Sequence, residues 1–312
     1  MTRRTRTRTR TRTRALAAAL AATVLALSSC TADDGPDRPE VVVTTNILGD
    51  LVRNVVGEEA EVTVLMRPNA DPHSFEISAR EAASMAEADL VVSNGLGLEE
   101  GLQQHLDRAA GSGAETFVAG EHVDVLDYSA AEGGAPDPHF WTDPAQVVEV
   151  VDALAEALAD VDGLDTGVLE QRAADYRGQL ERLDQEMTTA FAAIPEERRS
   201  LVTNHHVFGY LAERFGFRVV GAVIPGGTTL ASPSAADLDE LATAIEEAEV
   251  PAIFAESSQP DRLVQVLADE VGLDVRVVPL FTESLTGPGE GAETYLDMQR
   301  ANTARITTGL SS

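Results

Sequence analysis

Three histidines sit in short turns, each with an aromatic residue close behind: Asp71-Pro72-His73-Ser74-Phe75, Asp137-Pro138-His139-Phe140-Trp141 and Asn204-His205-His206-Val207-Phe208. The chain of 312 residues holds only six histidines, so a repeated Asp-Pro-His turn is a signal above background. A fourth group of the same kind is Glu283, in the loop Leu280-Phe281-Thr282-Glu283-Ser284. Imidazole is the commonest protein ligand for transition metals, and three imidazoles with one carboxylate complete a four-coordinate, zinc-type site. His73, His139, His205 and Glu283 are therefore the candidate metal ligands.

Each candidate carries a local argument. Pro72 has a fixed φ and keeps Asp71 extended, which stiffens the turn presenting His73. Asp71 and Asp137 either face the metal or accept the second ring N–H of a histidine, and the second role is the expected one. His205 and His206 are neighbours at the end of a predicted strand, so their side chains diverge and one of them reaches the metal. His105 falls inside a helical pattern and reads as surface. His122 lies in an acidic, glycine-bearing loop and reads as surface too.

The elements that must position these groups come next. Apolar runs at 41–45, 61–66, 90–93 and 116–119 alternate with helical patterns at 48–56, 79–88 and 98–110. The theme returns with strands at 200–203, 218–223, 252–255 and 275–280 and helices at 208–215, 235–248, 261–271 and 294–307. Such alternation predicts an α/β fold with parallel strands covered on both faces. Between the two halves runs the longest helical pattern, 168–193. Its apolar residues Leu169, Ala173, Tyr176, Leu180, Leu183, Met187 and Phe191 recur three to four apart on one stripe. At about 1.5 Å per residue it reaches ~40 Å, the scale of a domain, and is expected to join two lobes. The predicted divisions are a leader at 1–30, a tether at 31–39, an α/β lobe at 40–165, a linking helix at 166–195 and a second α/β lobe at 196–312. Ligands of open α/β sheets gather at the carboxyl ends of strands, so all four candidates are expected at strand ends, two from each lobe, facing a cleft.

The first thirty residues have another purpose. Seven arginines alternate with threonine between Arg3 and Arg14, and an apolar run follows to Leu27-Ser28-Ser29-Cys30. This pattern is an export signal, too short for a spanning helix. The chain's single cysteine stands where a bacterial lipobox carries its lipid, so Cys30 is the expected anchor of an extracytoplasmic protein on the outer face of the cytoplasmic membrane. Seven of the 23 basic residues, all of them arginine, leave with the leader, and 52 acids remain, which puts the mature chain near −36. That charge repels nucleic acid and anionic headgroups and excludes both as ligands.

Several segments in order resemble the zinc- and manganese-binding lipoproteins of bacterial ABC importers, the cluster A-I metal substrate-binding proteins. They are Asp71-Pro72-His73-Ser74-Phe75-Glu76, Asn94-Gly95-Leu96-Gly97-Leu98-Glu99, residues 137–144, residues 202–210, Ile253-Phe254-Ala255-Glu256 and residues 280–285. The resemblance covers about 40–310. It implies two α/β lobes joined by one long rigid helix, with a metal between them on His73, His139, His205 and Glu283. It also implies a monomeric carrier that delivers its cargo to an ABC permease and the ATPase behind it. Two positions depart from the pattern: Glu283 stands where relatives usually carry aspartate, and His206 where they often carry an acid. The histidine-rich loop of some zinc members is missing between 120 and 136.

Three imidazoles with one acid favour Zn²⁺, since oxygen-rich sites suit Mn²⁺. A carrier of Mn²⁺ or Fe²⁺ from the same family is the alternative. Two other classes compete. A zinc hydrolase would use Glu283 as base beside a metal-bound water, and an adhesin or metal buffer would work without a transporter. The chain has no His-Glu-x-x-His, and ligands drawn from two lobes suit capture and release better than catalysis.

Overall fold

The computed structural model describes residues 38–130, 133–258, 262–271 and 275–311. The leader, Cys30 and nearly all of the tether lie outside the described residues. Valine-rich runs become strands with both faces covered. Val41, Val42 and Val43 are fully buried in β1 (Glu40–Val43), and so is the whole of β3 (Leu90–Ser93). β1 pairs in parallel with β2 (Glu61–Val64) and with β3, which pairs with β4 (Glu115–Val118). The second sheet, also parallel, holds β5 (Ser200–Thr203), β6 (Arg218–Ala222), β7 (Ala252–Glu256) and β8 (Arg276–Leu280). The orders, β2-β1-β3-β4 and β6-β5-β7-β8, are one pattern used twice.

Nine helices lie among the described residues: α1 (Asn46–Val56), α2 (Ala79–Glu87), α3 (Gln103–Ser112), α4 (Pro144–Ala159), α5 (Thr166–Ala192), α6 (Gly209–Phe215), α7 (Ala235–Glu247), α8 (Arg262–Val271) and α9 (Tyr295–Ser311). Polar side chains fix several starts. The Thr45 hydroxyl accepts the Leu48 amide at the head of α1, and Ser78 with Glu81 forms a reciprocal cap on α2. None of these helices is long and apolar enough to cross a membrane.

Successive strand residues point to opposite faces, and this divides the interior into three. Val42 and Val91 join Met85 and Ala109 under α2 and α3. Val202 and Ile253 join Leu241, Ile245 and Val264 under α7 and α8. Val41, Val43, Leu201, Phe254 and Leu280 face a central cluster built on α5. All seven residues of the stripe predicted for this helix are buried. It packs on α1 and α4 of the first lobe and on α9, which also packs on the second sheet. The helix thus joins two lobes, but through a shared interior and not as a bare strut.

Two elements differ from expectation. α4 was not foreseen, although Asp143 caps it and Pro144 opens its first turn. α3 starts at Gln103 instead of 98, because Gly95, Leu96 and Gly97 all take positive φ and turn the chain before the helix can begin.

Candidate metal centre

His73 follows β2 in a turn that Asp71 closes. One Asp71 oxygen accepts the His73 amide at 2.9 Å, and the other accepts the hydroxyls of Ser74 at 2.8 Å and Thr229 at 2.7 Å. His205 follows β5, the strand at which the second sheet reverses its order, and Glu283 follows β8. His139 corrects the expectation that all four groups sit at strand ends. It lies far past β4, at the head of the 3₁₀ turn Phe140–Thr142. That turn reaches across the cleft, since the Trp141 indole donates to the Thr282 carbonyl at 2.8 Å. Asn46 at the start of α1 grips the same loop, accepting the Leu285 amide and donating to Ser284 Oγ, each at 2.8 Å. The Glu283 loop is thereby fastened to the first lobe on both sides.

The four predicted groups converge. Glu283 Oε1 lies 2.9 Å from His73 Nε2, 3.0 Å from His139 Nε2 and 3.2 Å from His205 Nε2. His139 Nε2 is 3.4 Å from the Nε2 of each of the other two histidines. None of the four residues is more than 2% exposed. One ligand atom from each lies within 4.8 Å of all the others, a set able to hold a metal ion. Glu283 Oε2 is buried and has no hydrogen-bond partner, and the same holds for His73 Nδ1.

Charge follows from this crowding. Burial pushes the Glu283 carboxyl up, but the charges of His205 and His73 and the bonds from His139 and His205 outweigh it and hold it well below the usual range. Burial pushes His139 and His205 down. Asp137 and Glu283 reverse this for His139, and Glu283 with Glu256 raises His205 well above its ordinary value. Without metal the Glu283 carboxylate thus favours the charged forms of His139 and His205, and they favour its own.

The outer ring nitrogens show which acids orient which candidate ligands. Asp137 Oδ1 takes His139 Nδ1 at 2.7 Å, the role foreseen for it. Asp71, foreseen in the same role, instead closes its own turn and bonds Thr229, and His73 Nδ1 is left without a partner. His205 Nδ1 lies 3.3 Å from Glu256 Oε2 at the end of β7, a buried carboxyl raised by burial and by the Glu283 charge. Of the adjacent pair it is His205 that enters the cluster, while His206 turns toward the Tyr128 ring, 6.4 Å away between centroids. His122 is exposed and stacks on Phe117, whereas His105 is half-buried.

Tyr128 was missed. Its hydroxyl lies 3.0 Å from both Asp137 Oδ1 and His139 Nδ1. Burial and the Asp137 charge drive the phenol far above its usual range, so it keeps its proton. A lone tyrosine in an acidic loop gives no signal in the sequence.

The family model described as zinc-uptake complex component A, periplasmic, matches residues 41–309. The chain belongs to that family. Its members are substrate-binding proteins of transport systems, working with an ABC permease and ATPase, and are not enzymes, so the hydrolase reading falls. The zinc-binding protein TroA of Treponema pallidum is 33% identical over 288 residues, spanning 91% of this chain and 92% of the relative. The manganese-binding lipoprotein MntA of Halalkalibacterium halodurans is 28% identical over 281 residues, with 90% and 91% spanned. The solved structure of the T. pallidum periplasmic zinc-binding protein TroA matches at a TM-score of 0.82 and 32% identity, over 88% of this chain and 100% of that one.

Proposed function

We propose that the protein captures Zn²⁺ between its lobes on His73, His139, His205 and Glu283 and delivers it to an ABC permease. The observation that carries this reading is the convergence of four buried ligand atoms from both lobes. A tetrahedral zinc ion with bonds of about 2.0–2.1 Å sets its ligand atoms roughly 3.3 Å apart. The five separations of 2.9 to 3.4 Å between Nε2 and Oε1 atoms are close to that spacing. The partnerless Oε2 of Glu283 is a buried acceptor that a cation would satisfy. Zinc is supported over manganese by the imidazole-rich donor set, since oxygen-rich sites suit manganese.

The same reading divides the chain into lobes at 40–165 and 196–312 around a linker at 166–195. It places the mature protein outside the cell as a monomer held by a lipid on Cys30. The test is a titration of the metal-stripped mature protein with Zn²⁺ against a competing chelator. One tight equivalent is expected. His139→Ala is expected to weaken it by orders of magnitude with an unchanged circular dichroism spectrum, and Glu283→Ala to weaken it as well. A wild-type protein with no tight site refutes the reading. Tight binding untouched in Glu283→Ala removes the carboxylate from the site.

A further inference from the structure

Tyr128 is bonded to both lobes at once. Besides Asp137 and His139 in its own lobe, its hydroxyl reaches the His206 carbonyl oxygen of the other at 3.1 Å. A phenol has one proton to give. Asp137 and the His206 carbonyl are both acceptors, so the hydroxyl donates either within its lobe or across the cleft. Its ring rests on Gly227, where a Cβ would collide with it. The loop bearing Gly227 also sends Thr228 to Glu100 at 2.8 Å and Thr229 to Asp71 at 2.7 Å. A cavity of about 570 Å³, lined in part by Asp127, His206 and Glu213, meets the ligand cluster at Tyr128 and Asp137.

We propose that Tyr128 is a positioning residue that latches the cleft and sets the rate of metal release, a reading that rests on the capture function above. With the lobes closed the hydroxyl donates its hydrogen bond to the His206 carbonyl, and Asp137 Oδ1 is left to hold His139 Nδ1 at 2.7 Å. Separation of the lobes withdraws that carbonyl. The hydroxyl, keeping its proton, then donates to Asp137 instead, so opening strands no buried donor. The same Asp137 oxygen now serves two donors and grips His139 less firmly. Opening of the cleft and loosening of one ligand become a single event, and docking on the permease has only to supply the first.

The experiment mixes the Zn²⁺-loaded mature protein with excess chelator and follows release by stopped flow. Tyr128→Phe keeps the ring on Gly227 and removes the hydroxyl. Release is expected to be up to about tenfold faster, the worth of one hydrogen bond lost across the cleft. The capture rate is expected to change by a smaller factor than the release rate. Gly227→Ala, which displaces the ring and leaves the hydroxyl on it, is expected to speed release in the same sense and carries the test if Tyr128→Phe does not fold. Release at the wild-type rate in both variants overturns the latch and leaves the capture reading standing. Capture and release altered by the same factor overturn it too, and a wild-type protein with no tight Zn²⁺ equivalent overturns both.

Discussion

At the scale of single residues, the capture proposed above sets the protons on His139 and His205 in competition with the cargo. Both rings have folded pKa values above their unfolded value near 6.5. The stability they lend the metal-free protein is therefore fully present below about pH 6.5 and is lost as pH rises through the folded values. Zinc captured on these rings would have to displace those protons, so on the proposed function its binding strengthens over the window in which the metal-free protein weakens. The rise in melting temperature produced by saturating zinc is expected to grow steadily from pH 6 to pH 8, and melts with and without metal across that range check it. A zinc increment independent of pH would contradict the protonation described here. Most of this centre was legible from residue type and turn context, because Asp-Pro-His and Asn-His-His carry their chemistry with them. The choice between His205 and His206 was not, since it depends on how the chain leaves β5. Nor was Tyr128, whose place depends on an absent side chain at Gly227, across the cleft.

At the scale of elements, the junction of α1 and α9 holds an unfavourable charge. Asp50 of α1 accepts the Tyr295 amide at the head of α9 at 2.9 Å. Burial raises its pKa to about 6, with Asp297 adding to the rise and the Tyr295 amide and Arg53 opposing it. Its folded value stands above the usual one, so folding is opposed increasingly as pH climbs from about 4 to 6 and in full above that. Asp50→Asn is expected to stabilise the protein at pH 7.5 by up to about 3 kcal/mol, the worth of a two-unit shift, less any loss in the bond to Tyr295. The gain is expected to vanish near pH 4, and denaturant unfolding at the two pH values measures both. An equal gain at both would assign the effect to packing. The strands were readable because a run of buried valines is a local signal. α4 was not, because Val147, Val148, Val150 and Val151 look like a strand until the Asp143 cap and Pro144 are weighed. Leu98 likewise looked helical, but the glycines before it turn the chain first.

At the scale of the whole molecule, alternation of strands and helices was enough to read two parallel sheets, and the stripe on α5 was enough to read a connecting helix. What stayed hidden was the shared interior, because α9 returns from the second lobe to pack on α5 and α1. Stripes on separate helices do not say which of them meet. The central apolar cluster runs unbroken from Val41 in β1 through Tyr176 in α5 to Leu310 in α9. Neither lobe therefore owns a complete core, and the two cannot melt in turn as beads on a string. Calorimetry of the metal-free protein is expected to give one cooperative transition, with equal calorimetric and van't Hoff enthalpies; two resolved peaks would show the lobes to be independent. A carrier made this way has no half-folded form in which one lobe keeps its histidines while the other has lost its own. In a compartment where stray chains meet proteases, such a protein is either whole and able to carry metal or fully open to cleavage.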